Sequence, residues 1–181
     1  MHKLTSEEVI ALNDWHRWLN DNRGDRARLR RAESPEDILL TSAFFNFLQK
    51  MPETFLKNYS DERRFVILAT IAGLVSHIEI PDSSASFATQ LATPPKGKNK
   101  PPMSELRFQQ LQKSPTINDF YRRMIRAIRL LGKSVNVSSL ANDIIHWHDE
   151  FKANTDYRNP QNRLAIRWAT DYFTALSKNT D

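Results

Sequence analysis

Apolar residues recurring at steps of three and four, punctuated by helix start and stop signals, dominate this chain of 181 residues and constrain it to an all-α fold. Ser6 stands as a candidate N-cap before Glu7 and Glu8, and Val9, Leu12, Trp15 and Leu19 follow on one helical face. Residues 20–24 interrupt the pattern. Gly24 or Asp25 can start a short basic helix carrying Arg26, Arg28, Arg30 and Arg31, closed by Ser34-Pro35. Pro35 suits the first turn of a third helix, with Glu36 and Asp37 at its positive end and Ile38, Leu39, Phe44, Phe45 and Leu48 on its buried side. Ser60-Asp61-Glu62 opens a fourth over 63–77, apolar around most of its circumference and therefore central to the core, with His77 packed at its end.

From 81 to 102 the texture changes to Ser, Ala, Thr, Pro and Lys. The stretch ends in Pro94-Pro95-Lys96-Gly97-Lys98-Asn99-Lys100-Pro101-Pro102, through which neither helix nor strand propagates easily. It reads as a flexible basic linker with a short helical patch at 87–91. Helices follow at 104–111, 116–131, 138–151 and 159–176. The expected architecture is two small helical bundles, 1–80 and 103–181, joined by a Pro/Lys-rich linker at 81–102.

Composition removes several function classes. No apolar run approaches the roughly 20 residues a bilayer needs, so no membrane contact is expected. Zero cysteines exclude disulfides, thiol catalysis and Cys-ligated zinc, and four glycines argue against phosphate-cradling loops of dinucleotide or P-loop enzymes. The N-terminus lacks the apolar run of a signal peptide, and a cytoplasmic address is expected. A net charge of +5 favours anionic partners, and the excess lies mostly in the second half: 14 cations face 13 acids in residues 1–102, but 12 face 8 in 103–181.

The most informative stretch is 116–133. On a helical wheel Ile117, Phe120, Tyr121, Met124, Ile128 and Leu131 share one side, while Arg122, Arg126, Arg129 and Lys133 gather within roughly 60° on the other. Only Asp119 lies near this row. Like charges at such spacings cost about 0.2–0.5 kcal/mol per pair, a loss that a phosphate backbone would compensate. A solvated face with acids supplied by neighbouring helices fits equally. A second cluster, Arg23 to Arg31, holds five arginines and one acid in nine residues; guanidinium groups grip phosphate bidentately and stack on bases. Salt bridges to Glu33, Glu36 and Asp37 are the alternative. Arg107, Lys113, Arg163 and Arg167 add cations on other helices, and Lys96, Lys98 and Lys100 form either a phosphate grip or ordinary solvation.

His146-Trp147-His148-Asp149-Glu150 contains the His-Asp pair of metal phosphohydrolases. On one helix, however, His146 and His148 point about 200° apart and cannot ligate one ion together. The ordinary reading makes Trp147 core, with its polar neighbours at the helix edge. No Gly-x-Ser-x-Gly occurs, and paired acids such as Glu7/Glu8 and Asp61/Glu62 sit at helix starts, so no catalytic residue, metal site or cofactor is assigned. Trp15, Trp18, Trp147 and Trp168 fit core positions better than base-stacking ones.

Taken in order, these segments resemble the CasB family, the small subunit of the type I-E CRISPR surveillance complex Cascade. The resemblance rests on Leu29-Arg30-Arg31-Ala32, Ala43-Phe44-Phe45 and Ser86-Phe87-Ala88-Thr89-Gln90-Leu91-Ala92. It continues through Met103-Ser104-Glu105-Leu106-Arg107-Phe108-Gln109-Gln110-Leu111, Arg122-Arg123 and Arg167-Trp168-Ala169-Thr170-Asp171-Tyr172-Phe173. It covers about 20–176 and implies an all-helical, non-catalytic subunit, present twice in the complex. Such a subunit contacts the backbone subunits, the large subunit and a second copy of itself, and helps hold the guide RNA, target DNA and displaced strand of the R-loop in antiviral defence. By motif position the resemblance marks Arg30, Arg31, Arg107, Arg122, Arg123 and Arg167 for nucleic-acid contact. Together with the helical-wheel row and the remaining basic residues, the candidate set is Arg26, Arg30, Arg31, Arg107, Arg122, Arg123, Arg126, Arg129, Lys133, Arg163 and Arg167. Two other readings stay open: a helical scaffold whose arginines pair with an acidic protein, and a metal phosphohydrolase using His148 and Asp149.

Overall fold

A computed structural model describes residues 3–152 and 160–178. Among these residues ten helices run α1 (Ser6–Asp21), α2 (Arg23–Arg31), α3 (Pro35–Leu39), α4 (Ser42–Lys50), α5 (Asp61–Ser76), α6 (Phe87–Ala92), α7 (Glu105–Gln112), α8 (Ile117–Leu130), α9 (Val137–Lys152) and α10 (Leu164–Lys178). A single short ladder, β1 (Ile80–Pro81) parallel to β2 (Ser134–Val135), interrupts this all-α order. Helix starts follow side-chain capping. Thr5, one residue before the expected Ser6, forms a capping box with Glu8; Ser34 does so with Asp37; Thr116 accepts from the Asp119 amide.

The third helix expected to run unbroken from Pro35 past Phe44 is two helices. Thr41 caps a new start by accepting from Phe44 N, and Leu40 is left 85% exposed at the break. The last helix begins at Leu164 rather than 159, after a 3-10 turn at Pro160–Asn162; position 159 itself lies outside the described residues.

α5 is the central element. Every residue of 67–76 is buried, with α2 and α3 from the first half and α8 and α9 from the second packed around it. Buried side chains of both halves accordingly form one continuous hydrophobic cluster. Segment 81–102, expected as a flexible linker, carries structure over much of its length. β1 pairs with β2, and α6 buries Phe87, Ala88, Leu91 and Ala92 against α10. The amide of Met103 donates to Leu91 O, and Tyr172 Oη donates to Met103 O, so 93–102 is a loop closed at its base. Lys96, Lys98 and Lys100 are exposed on it.

His77, 5% exposed at the end of α5, is pushed down to about 4, by burial first and then by Arg30, Arg129, Lys133 and Arg26. An unfolded histidine takes a proton near pH 6.5, so as pH falls the unfolded chain protonates first. The stability gained from a neutral His77 is present above about 6.5 and lost towards 4, up to about 3 kcal/mol. Asp143, between α9 and α10, is pushed up to about 7 by burial and acts in the opposite sense, its contribution being lost as pH rises. The comparison with a variant therefore isolates His77: His77→Leu is expected to melt with a shallower acid limb between pH 6.5 and 4. Thermal melts across that window check this, and a limb as steep as wild type would contradict it.

Candidate nucleic-acid interface

α8 places its arginines by simple periodicity. Phe120, Tyr121, Met124, Ile125, Ala127 and Ile128 are buried, which leaves Arg122, Arg126 and Arg129 exposed on the far side. α7 lies against α8, and the two enclose a cleft of about 590 Å³ whose walls carry Arg107, Arg123, Arg126 and Arg129 over Met103, Leu111 and Leu130. Arg123 is half-buried because it also tethers the helices, donating to Gln110 O and, at 3.4 Å, to Ser114 Oγ. Among the described residues no carboxylate lies within 4 Å of Arg107, Arg126 or Arg129, so neighbouring helices do not neutralise this face.

The remaining candidates have other surroundings. Arg122 is held by Asp119 one turn away, at 3.1 Å, and does not line the cleft. Arg26 and Arg30 cap the C-terminus of α5: the Nε of each donates to Ser76 O at 3.1 Å, and Arg26 Nη2 donates to Ile78 O at 2.6 Å. Arg26 is therefore half-buried and structural in position, while Arg30 keeps its outer edge for Glu79. The salt bridges considered between this helix and Glu33, Glu36 or Asp37 are replaced by Arg28–Asp25 and Arg30–Glu79, because the Asp37 carboxylate accepts from the Glu33 and Ser34 amides instead. Arg31 and Arg163 are exposed. Arg167, on α10, bonds His146 Nδ1 at 2.9 Å and lies apart from the cleft walls.

Lys133 joins the two basic clusters. Its Nζ donates to Glu79 Oε1 at 2.7 Å, and Arg30 Nη2 reaches the same oxygen at 3.1 Å. Those two cations hold the Glu79 carboxyl down to about 2, the Lys133 bond being the stronger influence. Glu79 escaped the sequence reading because its partners are 49 and 54 positions away, and no local spacing signals such a pair.

The His-Asp pair is built into the core rather than into a metal site. His146 and His148, expected at the helix edge, are 1% and 2% exposed, since α9 is covered by α5 on one side and α10 on the other. His148 Nε2 lies 3.1 Å from Thr70 Oγ1, whereas Asp149 accepts from Arg63 at 2.7 Å and from Tyr59 Oη at 2.9 Å. Among the described residues no group of three or more His, Cys, Asp or Glu stands together as a metal-holding set, and no helix is long and apolar enough to cross a membrane. Trp15, Trp147 and Trp168 are buried; Trp18 is half-buried beneath Lys50, whose Nζ stands 4.6 Å from the ring centre.

The family model described as CRISPR-associated protein Cse2 matches residues 25–173, from α2 into α10. The chain belongs to the Cse2 family. Neither the search of curated proteins nor that of solved structures returned a match. Cse2 is the CasB family of the sequence resemblance, and membership makes this chain a component of a CRISPR Cascade complex in antiviral defence, associated with other Cascade components. The family is a non-catalytic structural subunit.

Proposed function

We propose that this Cse2-family chain binds nucleic acid through phosphate, without sequence preference, and thereby stabilises the R-loop formed by guide RNA, target DNA and the displaced strand. The observation that carries the reading is the α7–α8 cleft, where Arg107, Arg126 and Arg129 meet with no acid beside them among the described residues. Three exposed arginines facing one concavity repel one another, and a polyanion is the ligand that relieves the repulsion. Arginine contacts to phosphate position a strand without reading it, as suits a complex in which guide pairing supplies the sequence. Arg31, Lys133, Arg163 and Arg167 extend the contact surface beyond the cleft, and the backbone subunits, the large subunit and a second copy of this chain complete the assembly.

The test is anisotropy of a labelled single-stranded oligonucleotide at several salt concentrations. Each neutralised phosphate contributes about 0.7 to the slope of log K against log salt on a single strand, so Arg126→Ala/Arg129→Ala should lower it by about 1.4. Affinity at low salt should fall more than tenfold. A double variant with wild-type affinity and slope would remove the cleft from the interface. A wild-type chain that retains no nucleic acid at low salt would favour the scaffold with an acidic protein partner.

A further inference from the structure

We propose that Glu79 occupies a phosphodiester site, and that a nucleic-acid strand crossing from the α7–α8 cleft towards α2 displaces its carboxylate from Arg30 and Lys133. The inference rests on the nucleic-acid reading of the cleft and extends it to a residue outside the basic clusters.

The site is a junction of two distant segments. Arg30 comes from α2 and Lys133 from the turn after α8, yet both aim at Glu79 Oε1, at 3.1 and 2.7 Å. Arg129 lines the cleft wall four residues before Lys133, and after burial both cations, with Arg30 and Arg26, hold the His77 imidazole below its ordinary range. Burial and these four cations keep His77 neutral near pH 7, and Glu79 is the acid that meets two of them, Arg30 and Lys133, at the surface.

Backbone contacts hold the site whether or not the Glu79 side chain occupies it. The Glu79 and Ile80 amides both donate to Lys133 O, at 2.9 and 3.2 Å, and β1 pairs with β2 immediately beyond. Arg30 keeps its guanidinium oriented through its Nε bond to Ser76 O. Removing the carboxylate therefore leaves the Arg30 guanidinium in place and the Lys133 backbone beside it, with the Lys133 ammonium released from Glu79. The side chains of Glu79, Lys133 and Arg30 are 45%, 41% and 30% exposed, and ion pairs this accessible contribute little to stability. Displacement by a phosphodiester is thus cheap, and the internal carboxylate acts as a competitor that weakens strand binding at this point.

A role limited to joining the two halves predicts that removing Glu79 weakens the protein and its binding. A competing carboxylate predicts a gain. Glu79→Gln keeps the shape and an acceptor oxygen while removing the charge. Binding of a labelled oligothymidylate to the full chain is the readout, with melting temperature measured in parallel. One additional phosphate contact steepens the salt slope by about 0.7 and is worth roughly eightfold in affinity near 50 mM salt, which is the gain expected. Glu79→Gln/Lys133→Met should lose that gain. Wild-type or lower affinity in Glu79→Gln, with an unchanged slope, overturns the inference. If Arg126→Ala/Arg129→Ala still loses binding in that case, the cleft reading survives on its own. Inorganic phosphate should cancel the gain more strongly than chloride at matched ionic strength, since it competes for the same two cations. Absence of salt-dependent binding in the wild-type chain removes both readings.

Discussion

Replacing Trp168 by alanine is expected to destabilise the protein by about 3–5 kcal/mol, a large share of the about 5–15 kcal/mol that a domain possesses. The indole is 2% exposed and stands 6.0 Å from the Phe87 ring and 6.4 Å from the Phe108 ring; Phe108 in turn stacks on Tyr172 at 4.0 Å. One side chain therefore ties α6, α7 and α10 together. α6 and α7 have six and eight residues, too short to persist as helices without packing. The loss should appear first around the 93–102 loop, where trypsin would cut at the exposed Lys96 and Lys98 faster than in wild type. Trp168→Phe should recover more than half of the stability. Phe173→Ala, at a ring 43% exposed on the same helix, should cost less than about 1 kcal/mol. Denaturant midpoints for the three variants check the ranking, and a Trp168→Ala midpoint at the wild-type value would contradict the packing described.

Gly73→Ala is expected to destabilise by about 1–3 kcal/mol, even though alanine is the better helix former by about 1 kcal/mol. A Cβ at this point of α5 would fall upon Ile38 Cδ1 and the Tyr121 hydroxyl, and would sit 3.0 Å from Tyr121 Cε2. The tip of Ile38 can rotate away, but the fully buried Tyr121 ring has no room to move. The Tyr121 hydroxyl lacks a hydrogen-bond partner among the described residues, and burial pushes its pKa above the ordinary range. Tyr121→Phe alone should accordingly be close to neutral or mildly stabilising, since it removes an unsatisfied buried group. Gly73→Ala/Tyr121→Phe should be more stable than the sum of the single changes by about 0.5–3 kcal/mol. Strict additivity in that cycle would show that α5 and α8 are not held at this separation by Gly73.

The helices themselves were legible because their signals are local. The apolar stripe of α8, the Pro35 start of α3 and the all-round apolar α5 follow from residues within one or two turns of each other, and each appears as expected. Errors in the elements were local as well. Thr41 offers a cap to the Phe44 amide that the run from Ile38 to Leu48 conceals, so one expected helix is two. The helical patch expected at 87–91 within the 81–102 loop is α6, and it persists because Phe87, Ala88, Leu91 and Ala92 dock on α10, six residues being too few to hold a helix alone.

For the candidate interface, local pattern named the right kind of residue but not its surroundings. Arg126 and Arg129 face outward as the helical wheel requires, and Arg107 was marked by family resemblance. Their meeting in one cleft depends on how α7 lies against α8. Arg26 and Arg30, alike with their neighbours in sequence, divide from them because the carbonyls of Ser76, at the end of α5, and of Ile78 just beyond it need donors and α2 runs past them. His146 and His148 looked like edge residues because a helix's own sequence does not count the helices that cover it.

Periodicity, caps and the surplus of arginine over acid thus follow from bonds and repulsions among residues a few positions apart, and they establish an all-helical chain with a basic exterior. Which cations remain without a counter-charge is another matter. Glu79 reaches Arg30 and Lys133 across 49 and 54 residues, while Arg107, Arg126 and Arg129 meet no carboxylate among the described residues. Coulombic pairing acts through space over a few ångströms, so it is settled by helix packing around α5 and not by order along the chain.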